Sequence, residues 1–318
     1  MSFISVLLAL LLEQARPLGQ GNRIHAAMRS WVRWSARSFD AGKSLHGWLA
    51  WVFAVGLPTL ATLALYWWLE VTFGWPVAVA WSVAVLYATL GFRQFSFHYT
   101  EIRDALAGGD EDRARELLAN WRQIDASELS RSDVVREVVE HSVLAAHRHV
   151  FGVLAWFSLL AALGLGPAGA VLYRLSEFVA RYWRHKSSRH HQPASEALQQ
   201  FASDAWGIVD WLPARITAIS FAVVGSFEEA IDSWRSYQPR STSDNDGVIL
   251  AATSGAVGVS LGSGARAYVA SPGSEPGQAV TRQAPEYAHL AVIVGLIWRT
   301  VVMWMVMLAL LTLARLLG

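Results

Sequence analysis

The chain has 318 residues, of which 53% are hydrophobic and only 16% charged, with 16 tryptophans and a formal net charge of +1. A soluble surface calls for about a quarter of residues charged, a protein that grips nucleic acid through bulk charge needs a large positive excess, and zero cysteines exclude disulfides, thiolate metal sites and cysteine nucleophiles. The composition points to an all-α, polytopic integral membrane protein whose first partner is the lipid bilayer, with no nucleic-acid partner.

Residues 3–12 are apolar but too few to span, since a crossing helix needs roughly 20. Glu13 and Arg16 follow, and neither a basic start nor a small-residue cleavage site marks a secretory signal. A short helix dipping into one leaflet or packed under the bundle is expected. Between Glu13 and His46, Arg16, Arg23, Arg29, Arg33, Arg37 and Lys43 outweigh Glu13 and Asp40, so segment 1–46 is expected to be that short apolar helix followed by a basic segment on the cytoplasmic side. Trp31 and Trp34 suit an interfacial amphipathic helix there. Residues 47–69 carry no charge, with Pro58 as a kink point, and 75–91 are shorter but apolar. The short link between them makes 47–91 a transmembrane hairpin, with Trp67, Trp68 and Trp75 at an interface.

Residues 92–149 read as a helical cytoplasmic region. A break is expected at Gly108-Gly109, acidic residues 110–112 open the next helix, and Ser132-Asp133 cap a third that carries Glu137 and Glu140. Residues 150–173 are long enough for one span, yet that span would export Arg174, Arg181, Arg184, Lys186 and Arg189 with His185, His190 and His191. The sequence Gly164-Leu165-Gly166-Pro167 resolves the conflict as a turn between half-helices 143–163 and 167–183. Such a re-entrant hairpin implies a pocket, because irregular backbone at membrane depth must be buried in protein or face water. A basic loop and an interrupted apolar stretch at 206–225 complete segment 150–225. Asp210, Pro213 and Arg215 interrupt it, and ionisable groups at such depth are functional candidates. Residues 226–288 read as a soluble loop region and 289–318 as a C-terminal transmembrane helix, in which Arg299 snorkels or pairs internally.

The chemistry-bearing motifs are sparse. His141, His147 and His149 are spaced six and two apart, which does not bring three ligands to one helix face, so no metal site is expected and an interfacial role is the simpler reading. His190-His191 beside Arg189 look headgroup-facing. The stretch 254–265 (SGAVGVSLGSGA) matches neither the Walker pattern nor GxGxxG and suits close helix packing. Asp210 and Arg215 can neutralise one another within a helix.

The elements DVVREVVEHSV, YRLSEFVARYWRHK, DWLPAR and SGAVGVSLGS, in that order over nearly the whole chain, resemble the CobD/CbiB family. That family includes adenosylcobinamide-phosphate synthases and the AmpE proteins. The resemblance implies, for a synthase, joining cobyric acid to an aminopropanol unit with ATP and Mg²⁺. Against the synthase pattern, Gln123-Ile124-Asp125-Ala126 keeps only the aspartate, and Glu140 is kept while Leu144 replaces an aspartate. Trp206-Gly207 replace a pair of aspartates, Leu250 replaces an acidic residue, and Asn245 remains. Leucine and tryptophan cannot ligate Mg²⁺. Glu13 in LLEQARPLG and the segment FRQFSFHYTEI resemble AmpE more closely. The resemblance therefore implies an AmpE-like, degenerate member of the bacterial inner (plasma) membrane, multi-pass with its basic loops cytoplasmic. A regulatory, sensing or ligand-binding role linked to cell-wall status is expected, not an enzymatic one and without a cofactor; the alternative is the synthase. Asp125, Glu140, Asp210, Arg215 and Asn245 are the candidate pocket lining. A cell-wall fragment or a corrinoid precursor is the ligand expected there, and a membrane-protein partner is a further expectation.

Overall fold

The computed structural model describes residues 2–16, 23–40, 44–189, 194–238, 241, 244–262 and 283–317. Lys43, His190, His191, residues 263–265 of the glycine-rich stretch and 271–282 of the linker before the last span lie outside the described residues, as do the side chains of Arg23, His185, Lys186 and Arg189. The helices are α1 (Ser2–Ala15), α2 (Arg23–Phe39), α3 (Ser44–Trp51), α4 (Leu57–Phe73), α5 (Trp75–Thr89), α6 (Phe92–Ala107), α7 (Glu111–Arg122), α8 (Arg131–Ala146), α9 (Gly152–Ala162), α10 (Ala168–Arg189), α11 (Glu196–Val224), α12 (Phe227–Ser236), α13 (Asn245–Val257) and α14 (Tyr287–Leu317). Widened π turns at Val52–Gly56 and His147–Phe151 join α3 to α4 and α8 to α9. Apart from an isolated bridge between Val259 and Gln283, the regular elements among the described residues are all helical. Among the described residues four helical stretches are long and apolar enough to cross a membrane: His46–Phe73, Arg131–Ala162, Glu196–Val224 and Tyr287–Ala314. The chain is a multi-pass, all-α membrane protein.

Contacts divide it into two units. The first comprises Met1–Gln94, Arg148–Pro213 and Leu308–Gly318, and the second Phe95–His147 and Ala214–Met307.

In the first unit α4 and α5 form the expected hairpin, turning at Gly74 with φ 82°. At 15 residues α5 rises only about 22 Å, short of a full crossing. Pro58 offers no N–H to the carbonyl one turn back, at Ala54, and the indole of Trp31 donates to that carbonyl at 3.3 Å. The turn between α9 and α10 falls where the glycines and proline marked it. Gly164 and Gly166 have φ of 79° and 54°, and a Cβ on Gly166 would stand 2.5 Å from the Tyr66 ring. Trp67 of α4 donates to the Gly164 carbonyl at 3.0 Å, which fastens the turn. The half-helix expected over 167–183 runs as α10 on through Arg189, into the stretch expected as a basic loop. Leu175, Val179, Ala180 and Trp183 recur at helical spacing and are buried against Val32, Ala54 and Leu198, the apolar face on which the helix winds.

In the second unit α6 ends before Gly109, whose φ is 76°, and Asp110 caps α7 by accepting from the Arg113 amide at 3.0 Å. The cap of α8 is Ser130, not the Ser132-Asp133 pair: its hydroxyl accepts from the Asp133 amide at 3.2 Å and lies 2.6 Å from the Asp133 carboxylate. Asp133 thus sits at the third helical position, as in a capping box. Two helices, α12 and α13, occupy what composition presented as a loop region. Averaging over serine, glycine and proline hid their short apolar stripes. They pack closely because Gly255 leaves no space for a Cβ against the Glu229 backbone, which agrees with the packing reading of the glycine-rich stretch. Arg299 on α14 donates to the Gly295 carbonyl at 3.2 Å.

Candidate functional site

Four of the five sequence-marked residues lie in the second unit, three of them on helices: Glu140 on α8, Arg215 on α11 and Asn245 on α13. Asn245 opens α13, is only 3% exposed, and accepts from Arg215 of α11 at 2.6 Å. A hydrogen bond to an ionised donor is short and strong, so this one fixes the guanidinium, a group suited to carboxylate or phosphate. The residue before it, Asp244, caps α13: it accepts from the Gly247 amide at 3.1 Å and from the Tyr237 hydroxyl at 2.5 Å. Neither Asp244 nor Tyr237 stood out in the sequence, although Asp-Asn-Asp-Gly before an apolar run is a helix-start signal.

Glu140, half-buried on α8, accepts from the Gly262 amide at 2.8 Å across 122 positions of sequence. Gly262 has φ 77°, a conformation that suits glycine. The loop that carries it is laced further by Ser260 donating to Gln283 at 3.0 Å and by Ser254 donating to Val259 at 2.6 Å. Because α8 packs on α13, the same pair of helices carries Glu140 and Asn245.

His147 was read as interfacial, and the structure corrects this. It is fully buried, and its Nδ1 lies 2.9 Å from the Thr217 hydroxyl of α11. It opens the π turn that follows α8, and such turns recur at functional sites. The sequence signal was only the two-residue step from Arg215 to Thr217, which carries no pattern without the fold.

The other two residues are placed differently. Asp125 is exposed and accepts from both the amide (3.0 Å) and the hydroxyl (2.8 Å) of Ser127. These donors hold its carboxyl below the ordinary carboxylate range, as in a local turn. Asp210 belongs to the first unit, where it is 1% exposed and accepts from the Tyr173 hydroxyl at 2.8 Å; the Tyr173 ring in turn packs on Trp206 at 5.1 Å. Arg174 and Glu177, in the same YRLSEF element, form a buried ion pair at 2.9 Å.

A protein-built cation site needs convergent carboxylates or imidazoles. Among the described residues no three His, Asp or Glu are arranged to hold a metal ion. Gly207 and Leu250, at positions where the resemblance implied acids, are buried and apolar here. The described residues do not fit a dedicated metal site.

The sequence profile of the family described as CobD/Cbib protein matches residues 4–297. The chain is 36% identical over 184 residues to the Cobalamin biosynthesis protein CobD of Chromobacterium violaceum, a match covering 58% of this chain and 56% of that one. It is 30% identical over 315 residues to the protein of the same description from Stutzerimonas stutzeri, covering 96% of each. Protein AmpE of Shigella flexneri is similar at 22% identity over 236 residues, 74% of this chain and 78% of that one. No solved structure matches the chain.

Proposed function

This chain belongs to the CobD/CbiB family, and from that premise we propose that it serves cobalamin biosynthesis, joining cobyric acid to an aminopropanol unit at the bacterial inner membrane. The observation that carries the reading is the similarity along 96% of both chains to a protein described by cobalamin biosynthesis, against a more distant similarity to AmpE. Lost carboxylates, with the AmpE-like stretches LLEQARPLG and FRQFSFHYTEI, put the AmpE-like role first; the relatives weigh in the other direction.

On this reading ATP and Mg²⁺ enter as co-substrates, and the protein's contribution is to hold and orient. Arg215, fixed by Asn245, is the group assigned to an anionic part of a substrate. Glu140 acts by shaping the loop at Gly262, not by holding a metal. His147 and Thr217 set α8 against α11 beneath them. The basic segments face the cytoplasm, where a soluble nucleotide and corrinoid are supplied.

A second reading, an AmpE-like regulatory or binding role, draws on one specific observation. Leu144, Trp206, Gly207 and Leu250 stand where acids are expected, and no metal-holding cluster forms among the described residues. Complementation of a strain lacking adenosylcobinamide-phosphate synthase separates the two. Growth dependent on cobalamin made from cobyric acid is the expected result. Absence of growth, with the protein verified in the membrane, overturns the cobalamin reading in favour of the second.

A further inference from the structure

α2 carries Arg29, Arg33 and Arg37 at successive fourth positions, and all three are exposed. At 100° per residue they fall on one stripe, about 12 Å long. The helix contains no acidic residue. Among the described residues none of the three guanidiniums has an ion pair or a hydrogen bond to a side chain. The opposite side of α2 is occupied: Val32 and Ser35 are buried, Trp31 donates to Ala54, and the Trp183 indole of α10 donates to the Val32 carbonyl at 3.4 Å. That last contact brings two more exposed arginines of α10, Arg181 and Arg184, to the same end of the unit. Arg181 leans on Glu177 at 3.3 Å and Arg184 donates to Ser203 at 3.0 Å. Asp40, the acid nearest the stripe in sequence, is engaged by the Ser195 amide at 2.8 Å.

Two apolar side chains, Ile24 and Trp34, are about half exposed on the same helix. The apolar stretch His46–Phe73, long enough to cross a bilayer, begins seven positions after α2 ends. A helix with a fixed inner face, an arginine stripe, exposed tryptophan and isoleucine, and a spanning segment close behind it is placed where acyl chains meet headgroups.

We propose that the Arg29–Arg33–Arg37 stripe of α2 is a binding surface for the phosphates of anionic phospholipids, selecting them over zwitterionic lipid. Arginine suits phosphate through its planar fork of donors, and basic residues at a membrane surface favour anionic lipid in a manner that salt screens. The surface is independent of the corrinoid chemistry proposed above. It anchors and orients the end of the first spanning helix.

The chain has no cysteine, which makes a single reporter straightforward. Ser30→Cys lies on the exposed side of α2, between the arginines. The full-length variant, labelled with a bimane and placed in mixed vesicles, is quenched by brominated phosphatidylglycerol or brominated phosphatidylcholine at equal mole fraction. The expected result is a preference of about tenfold for the glycerol lipid at low salt, shrinking as salt rises. Arg29→Gln, Arg33→Gln and Arg37→Gln combined should abolish the preference. If that triple variant fails to insert, the salt series on the otherwise native chain decides alone. Equal quenching by the two lipids overturns the proposal. Loss of the preference on adding inorganic phosphate or ATP, at constant ionic strength, also overturns it by assigning the arginines to a soluble phosphate.

Discussion

The indole of Trp156 donates to the backbone carbonyl of Val209 at 2.9 Å, the carbonyl that Pro213, four positions on, leaves without a helical donor. Trp31 does the same for Ala54 ahead of Pro58. Two prolines inside apolar helices are thus matched by two tryptophans from neighbouring helices. In lipid an unpaired carbonyl finds no water, so each pairing removes a penalty that an aqueous protein could leave to solvent. Part of the high tryptophan content therefore supplies donors within the fold as well as interfacial rings.

Trp156→Phe keeps a ring and removes the donor. It should destabilise the first unit by about 1–3 kcal/mol, measured by thermal unfolding in detergent. Pro213→Ala restores the helical N–H and competes for the same carbonyl, so Trp156→Phe should cost markedly less in that background. Equal losses in both backgrounds would show that the indole acts through packing.

The parts of this structure that sequence made legible are local. The break at Gly108-Gly109 and the turn at 164–167 follow from residues that change backbone preference where they stand. The spanning stretches His46–Phe73 and Tyr287–Ala314 follow from composition over one window, whereas Arg131–Ala162 and Glu196–Val224 extend beyond the stretches read as a re-entrant half-helix and as an interrupted apolar segment. The candidate site was legible only as separate residues, because its joins are long-range: Glu140 to Gly262, Arg215 to Asn245, His147 to Thr217. Nothing in a single sequence registers a contact over 122 positions, and a buried histidine has the same letter as an interfacial one. The lost carboxylates illustrate a further limit. They are visible substitutions, yet the order of the relatives weighed against the role they suggested.

Gly255→Ala tests whether the glycine-rich stretch exists for packing. A methyl there would meet the backbone of Glu229 in α12, which has no flexible end to move. Overpacking of this kind costs about 1–3 kcal/mol, and the unfolding midpoint should fall accordingly. A variant of unchanged stability that loses only activity would instead point to a ligand on the glycine backbone.

Glu140 gives a graded pair. Glu140→Gln retains an acceptor oxygen for the Gly262 amide, whereas Glu140→Ala removes it. Hydrogen exchange at Gly262 should be accelerated strongly in the alanine variant and only slightly in the glutamine one. Complementation should follow the same order. A glutamine variant as inactive as the alanine variant, with the Gly262 amide still protected, would mean that the carboxylate charge has a task beyond the loop.

The re-entrant reading of the α9–α10 hairpin turns on which side its tip faces. Gly166 is a poor reporter, since its φ of 54° and the adjacent Tyr66 ring disfavour any side chain. Leu163 is 68% exposed at the same turn, so Leu163→Cys places a thiol without disturbing packing. In whole cells it should resist a membrane-impermeant thiol reagent and react in inverted vesicles or after permeabilisation. Labelling from outside would replace the re-entrant hairpin with a complete crossing.

His25 supplies a pH signature for the first unit. Burial first, then the charges of Arg174 and Arg29, push its imidazole below the ordinary value of 6.5. The unfolded chain therefore takes up this proton at higher pH than the folded one. Stability from this group is complete above 6.5 and is lost as pH falls through the window between 6.5 and the lower folded value, because there the unfolded state binds more protons. His25→Gln removes the titration while keeping a polar side chain of similar reach. Its unfolding midpoint should vary less than that of the native chain as pH drops from about 7 to about 5. Since Arg29 is both a cause of the shift and part of the exposed stripe, Arg29→Gln should reduce the acid sensitivity, and anionic lipid bound there should reduce it in the native chain. Parallel curves for all three proteins would move the origin of any acid sensitivity away from α2.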